Sequence, residues 1–145
     1  MSLLDRIRRG EYVHDPGGEP LGGRTLSLAD VSMRIASGAD ALPAARDFLD
    51  QAGRRSDVEL ASLIRERPEL TGDVRADALL AGIAEHFSAT RGLPCPGWVR
   101  EDERFLDRFW FVSEVPGFRA IALAQTPIAL KRRGVFWPAR SLERV

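Results

Sequence analysis

Apolar residues recur along much of this chain at three- and four-residue spacing, the period of a helix packed on one side. Leu3, Leu4 and Ile7 predict two helical turns over 2–9, stopped by Gly10. Pro16, Gly17, Gly18, Pro20, Gly22 and Gly23 then punctuate 11–24, which reads as a loop or flexible arm. Periodicity resumes with Leu28, Val31 and Ile35, opened by an imperfect capping box at Ser27 and Asp30 and closed by Gly38. Ala45, Phe48, Leu49 and Ala52 mark another helix, from about Asp40 to Gly53, with Pro43 tolerable in its first turn. Leu60, Leu63 and Ile64 predict one over about 56–67, closed by Pro68. The clearest helix is capped by Thr71 or Asp73. Leu79, Leu80, Ile83, Ala84 and Phe87 give it a wide apolar face, and Gly92 and Pro94 end it.

At residue 94 the pattern changes. Phe105, Leu106, Phe109, Trp110, Phe111 and Val112 bring an aromatic density absent before, and predict a short helix followed by a strand. Residues 118–124 are apolar except for Arg119 and suit either a strand or a buried helix. Thr126 and Pro127 read as a cap and first helical position, before Ile128, Ala129 and Leu130. Lys131, Arg132 and Arg133 fall in the last turn, where cations suit the helix dipole, and Gly134 ends it. Val135, Phe136 and Trp137 form a short extended piece halted by Pro138. Ser141 is positioned to cap a last turn through Leu142 and Val145.

Together these elements predict a mainly α fold: a compact helical domain with a small aromatic-rich C-terminal part containing short extended segments. Residues 1–24 are expected to form an N-terminal helix and arm. Residues 25–145 are expected to form a single domain, with a helical region at 27–92 and an aromatic-basic region at 94–145. Composition supports a globular protein, with 44% apolar residues in 145. The 21 basic and 21 acidic residues cancel, so no global charge draws the chain to nucleic acid or anionic lipid. The start lacks the apolar stretch of a signal peptide, and no run approaches the length of a membrane span. Cytoplasm is the expected compartment, with no membrane contact.

Candidate chemistry is sparse. His14 and His86 are the two histidines, and neither belongs to a metal-binding repeat. Asp73 and Asp77 sit near a helix start, where carboxylates commonly partner the dipole. Cys95, the single cysteine, lies between two prolines and reads as a small apolar filler. There is neither a nucleophile elbow nor a phosphate-cradling loop. The expectation is therefore a protein with no catalytic residues, no metal site and no cofactor, acting by contact and not as an enzyme.

Charge is unevenly spread. Residues 40–85 hold ten acids and six arginines, whereas 119–145 hold six cations against Glu143. The C-terminal cations are interleaved with Phe118, Phe136 and Trp137. Basic and aromatic residues together suit a protein partner, since Trp and Arg anchor interfaces. They also suit a nucleic-acid strand, or a solvated helix end over a core. Residues 27–52 have the layout of a helix-turn-helix, but Asp40, Asp47 and Asp50 would repel phosphates.

Several motifs resemble a module of actinobacterial antitoxin-type and helix-turn-helix regulator proteins, some paired with nucleotidyltransferase-like toxins. They are Pro96-Gly97-Trp98, Phe105-Leu106-Asp107, Phe109-Trp110-Phe111-Val112, the run 118–124, Thr126-Pro127 and Arg132-Arg133-Gly134-Val135-Phe136. The resemblance covers about 70–145, and 24–70 more faintly. Such relatives often carry an obvious N-terminal DNA-binding domain, which the short arm here does not match. The resemblance implies a partner-binding protein that covers a toxin encoded by the adjacent gene. Expected contacts are Arg119, Lys131, Arg132, Arg133, Phe136 and Trp137, with Trp98 beside them. The alternative is a small DNA-binding transcriptional regulator. Self-association through an exposed tryptophan patch is left open.

Overall fold

The computed structural model describes residues 25–143; the predicted helix at 2–9, the arm at 11–24 and Val145 lie outside them. Among the described residues the chain is mainly α, with seven α-helices and one short strand pair. The helices are α1 (Leu28–Ala36), α2 (Ala41–Ala52), α3 (Asp57–Arg65), α4 (Val74–Arg91), α5 (Arg119–Gln125), α6 (Ile128–Lys131) and α7 (Ala139–Leu142). Strands β1 (Trp110–Phe111) and β2 (Val135–Phe136) pair in parallel, Trp110 with Val135 and Phe111 with Phe136. Because a parallel pair needs a long crossover, α5 and α6 occupy the connection between them.

Local chemistry sets the helix ends. Ser27 and Asp30 form a complete capping box, with Asp30 N–H donating to Ser27 Oγ at 3.1 Å and Ser27 N–H to Asp30 Oδ2 at 3.0 Å. Ser56 and Glu59 repeat that reciprocal arrangement at α3. At α4 the cap is Asp73, whose Oδ1 accepts from the N–H groups of Arg75 and Ala76. Asp77 is buried and accepts from both Thr71 N–H and Thr71 Oγ1, each at 2.9 Å. Gly92 ends α4 at φ +65°, a left-handed conformation that suits glycine.

Helix α4 is the axis of the molecule. The sequence predicts an apolar face on it, yet every residue from Ala76 to Ala84 is buried. Helices pack around it, so small residues must serve where they approach. A Cβ at Gly82 would overlap Leu130 Cδ2, so glycine lets α6 cross α4 closely. Residues of both halves meet in one apolar cluster that includes Leu28, Phe48, Leu60, Leu80, Trp98, Leu130, Trp137 and Leu142.

Four expectations change in the second half. The predicted short helix after residue 94 is a pair of 3₁₀ turns, Gly97–Arg100 and Asp102–Arg104. The run 118–124 is a helix, but a surface one: Ala122 is its single buried residue. Thr126 does not cap α6. Its Oγ1 is buried with no partner among the described residues, and Pro127 holds the cap position. Similarly Ser141 lies inside α7, which follows Pro138.

Candidate partner-binding face

The strand pair builds the floor of the candidate face. Trp110 N–H donates to Gly134 O at 2.7 Å, and Val112 N–H to Phe136 O at 3.1 Å. Paired residues of parallel strands project to the same side, so Phe111 stacks on Phe136 with centroids 4.7 Å apart. Phe109 meets Phe136 edge-on at 5.0 Å. A 3₁₀ turn at Pro116–Phe118 then reverses the chain into α5.

Helix α5 turns Ala122 inward and leaves apolar side chains outward. Phe109 is 67% exposed, Val115 54%, Phe118 46% and Leu123 49%. Met33, Val58, Leu70, Val74 and Ile128 are exposed as well, but Phe109 and Phe118 each line a hollow of this face.

Two hollows flank this region. The first, of about 320 Å³, lies between α2, α5, α7 and the end of the strand pair. Leu42, Phe111, Ile121, Phe136 and Trp137 wall it, while Arg46 and Arg140 also line it. The second, of about 390 Å³, shares Phe111 and Ser113 with the first and is lined by Arg75, Phe109, Trp110, Glu114 and Arg119. Three of these guanidiniums lie over rings: Arg46 5.8 Å from Trp137, Arg75 5.3 Å from Trp110 and Arg119 5.1 Å from Phe111. Arg46, Arg75, Arg119 and Arg140 form no ion pair with a carboxylate among the described residues.

Of the seven expected contact residues, Arg119 and Arg132 are exposed and Lys131 is half-buried. The other four are interior. Trp98 is buried and donates from Nε1 to Ile64 O at 3.1 Å, with the Arg104 guanidinium 4.9 Å from its ring. Phe136 and Trp137 are core residues that reach the first hollow only as its floor. Arg133, expected among the partner contacts, is 1% exposed. Its Nε donates to Ala129 O, its Nη1 to Val99 O and Arg104 O, and its Nη2 to Glu85 Oε1 at 2.6 Å. Burial lowers the Arg133 pKa, and the Glu85 hydrogen bond opposes that shift. Arg132 reaches the other Glu85 oxygen at 3.3 Å. The basic triplet is therefore divided: Arg133 is a structural brace, and Arg132 pairs outside it.

The sequence also missed contributors. Arg46 and Arg75 come from α2 and α4, far from the C-terminal basic block, and no local signal marks them. Phe109, Val115 and Leu123 are apolar residues of ordinary appearance. Cys95 is exposed, not a filler. Burial lowers the His86 pKa, while Glu143 acts in the opposite direction.

Among the described residues no three His, Cys, Asp or Glu gather as a metal site, and no helix is long and apolar enough to cross a membrane. No protein-family model, curated protein or solved structure matches the chain. Fold and face together describe a small, mainly helical protein with an aromatic, arginine-bordered surface.

Proposed function

We propose that this is a non-enzymatic partner-binding protein of antitoxin type, acting by covering a functional cleft of another protein. The observation carrying this reading is that exposed Phe118 and Phe109 line two adjoining arginine-bordered hollows, with Val115 and Leu123 exposed on the same stretch of chain. Leaving four large apolar side chains in water costs free energy that a partner would recover on burying them. Arginine and aromatic residues are the types that dominate protein interfaces. The resemblance of 70–145 to antitoxin-type modules points the same way.

The contact surface differs from the sequence expectation. Arg119 stays in it, and Phe118, Leu123, Phe109, Arg46 and Arg140 join it. Trp98 and Arg133 leave it because they are interior. Co-expression with the protein encoded beside it, in the cytoplasm of a bacterial host, tests the reading. A stable complex lost on Phe118→Ser with Leu123→Ser supports it. A chain that remains alone on size exclusion in the presence of that protein refutes it.

A further inference from the structure

We infer that the partner segment seated on this face is acidic and amphipathic: large apolar side chains fill the first hollow while carboxylates engage the arginines around it. This deepens the partner-binding reading and rests on it. Three features of the surface lead to the segment's chemistry.

The first is size and wall. A hollow of about 320 Å³ walled by Leu42, Phe111, Ile121, Phe136 and Trp137 has room for one or two large apolar side chains. Half-exposed Phe118 lines it as well, and a second hollow adjoins it through the shared Phe111 and Ser113. A small ligand in the first hollow would not reach the second, whereas a peptide segment would span both.

The second feature is charge. No carboxylate lines the first hollow, and Glu114 alone lines the second. Arg46 and Arg140 line the first, Arg75 and Arg119 the second, and none of the four has a carboxylate partner among the described residues. Arg34, Arg67, Arg91, Arg104, Arg132 and Arg133 are each paired with a carboxylate, whereas Arg54, Arg55, Arg65, Arg100 and Arg108 form no ion pair among the described residues either. What sets the face apart is its local balance: the linings of the two hollows bring four arginines together with one carboxylate, Glu114.

The third is preorganisation. Three of the guanidiniums lie over the rings of Trp137, Trp110 and Phe111, contacts that bias their side chains toward the face and lower the ordering cost of binding. A guanidinium held over a ring keeps edge N–H donors for a carboxylate, the bidentate geometry arginine favours.

Nucleic acid is the competing polyanion. A strand would use the cations and exposed rings but would gain nothing from the aliphatic positions Leu42, Ile121 and Leu123. The apolar share of this surface favours peptide.

The experiment is a display selection of random twelve-residue peptides on the full chain, followed by fluorescence anisotropy with the recovered peptides and with a dT12 oligonucleotide. The expected result is enrichment of Asp and Glu beside Leu, Phe or Trp. The recovered peptides should bind at least tenfold more weakly to Arg46→Ala with Arg140→Ala, and more weakly as salt rises. Both positions reach the surface and lack ion pairs, so the variant is expected to keep its circular dichroism and melting temperature. A variant that does not is replaced by Arg119→Ala with Arg140→Ala.

The inference is overturned by recovery of basic or uncharged peptides, by recovery of none, by acidic peptides indifferent to both arginine variants, or by tighter binding of dT12. A complex with the neighbouring gene product alongside a non-acidic selection would sink this inference and leave the partner-binding reading intact. Acidic selection without that complex would do the reverse.

Discussion

Taking the Arg133 guanidinium out of water is unfavourable, and three carbonyl oxygens and the Glu85 carboxylate offset that loss. Removing one member of such a set strands the other, a change that costs about 3–5 kcal/mol where the pair is fully buried. Glu85 is partly exposed, so Arg133→Ala is expected at the low end, about 3 kcal/mol by urea unfolding. Arg132 meets the same carboxylate from the surface, and Arg132→Ala should cost less than about 1 kcal/mol. Equal losses from the two substitutions would contradict this division of roles. His86 makes a separate prediction at this scale. Burial lowers its folded-state pKa, so folding disfavours the charged imidazolium. Its contribution is then fully present above the unfolded value of about 6.5 and is lost as pH falls through the lower folded value. The urea midpoint should decline from pH 7.5 toward pH 5.5 more steeply in the wild type than in His86→Gln. Identical slopes would remove His86 from the acid response.

At the scale of elements, α4 and α5 make a contrast. Helix α4 is enclosed by its neighbours, so its packing tolerates no added volume at Gly82. Gly82→Ala would gain about 1 kcal/mol of helix propensity. Overlap with the fully buried Leu130 should nevertheless make the net change destabilising, by roughly 1–2 kcal/mol. Thermal unfolding checks the sign, and a stabilised variant would mean α6 shifts freely. The Asp73 cap should be worth about 1 kcal/mol, measured as Asp73→Ala. Helix α5 behaves oppositely. Phe118 and Leu123 are about half exposed, so Phe118→Ser with Leu123→Ser should change stability by less than about 1 kcal/mol. The same pair should abolish partner capture. A large loss of stability would instead assign these side chains to the packing.

For the whole molecule, one apolar cluster draws residues from Leu28 to Leu142, so truncation at either end of the described chain removes core contacts. The exposed face is the counterpart of that core: apolar, aromatic and bordered by arginines that pair with no carboxylate among the described residues. Such a face without its partner favours self-association. Size exclusion at rising concentration should show the wild type eluting progressively earlier, and Phe118→Ser with Leu123→Ser abolishing that shift. Concentration-independent elution of the wild type would count against an adhesive face.

Much of the helical layout was legible in the chain because it depends on nearby residues. Ser27 with Asp30, Asp73, Gly53 and Gly92 mark helix ends through bonds and backbone angles spanning a few positions. The 3.6-residue period of Leu28, Val31, Phe48, Leu60 and Leu80 identifies inward sides before any packing is known. Which apolar residues stay outside was decided by the tertiary structure. The sequence of α5 reads as core, and it is exposed because α4 already holds the central position. The fate of each cation is equally non-local. Arg133 meets Glu85, 48 positions away, and becomes interior, while Arg46 and Arg75 reach the face from helices remote in sequence. Burial and charge pairing depend on what folds against a residue, and one-dimensional spacing carries no record of that.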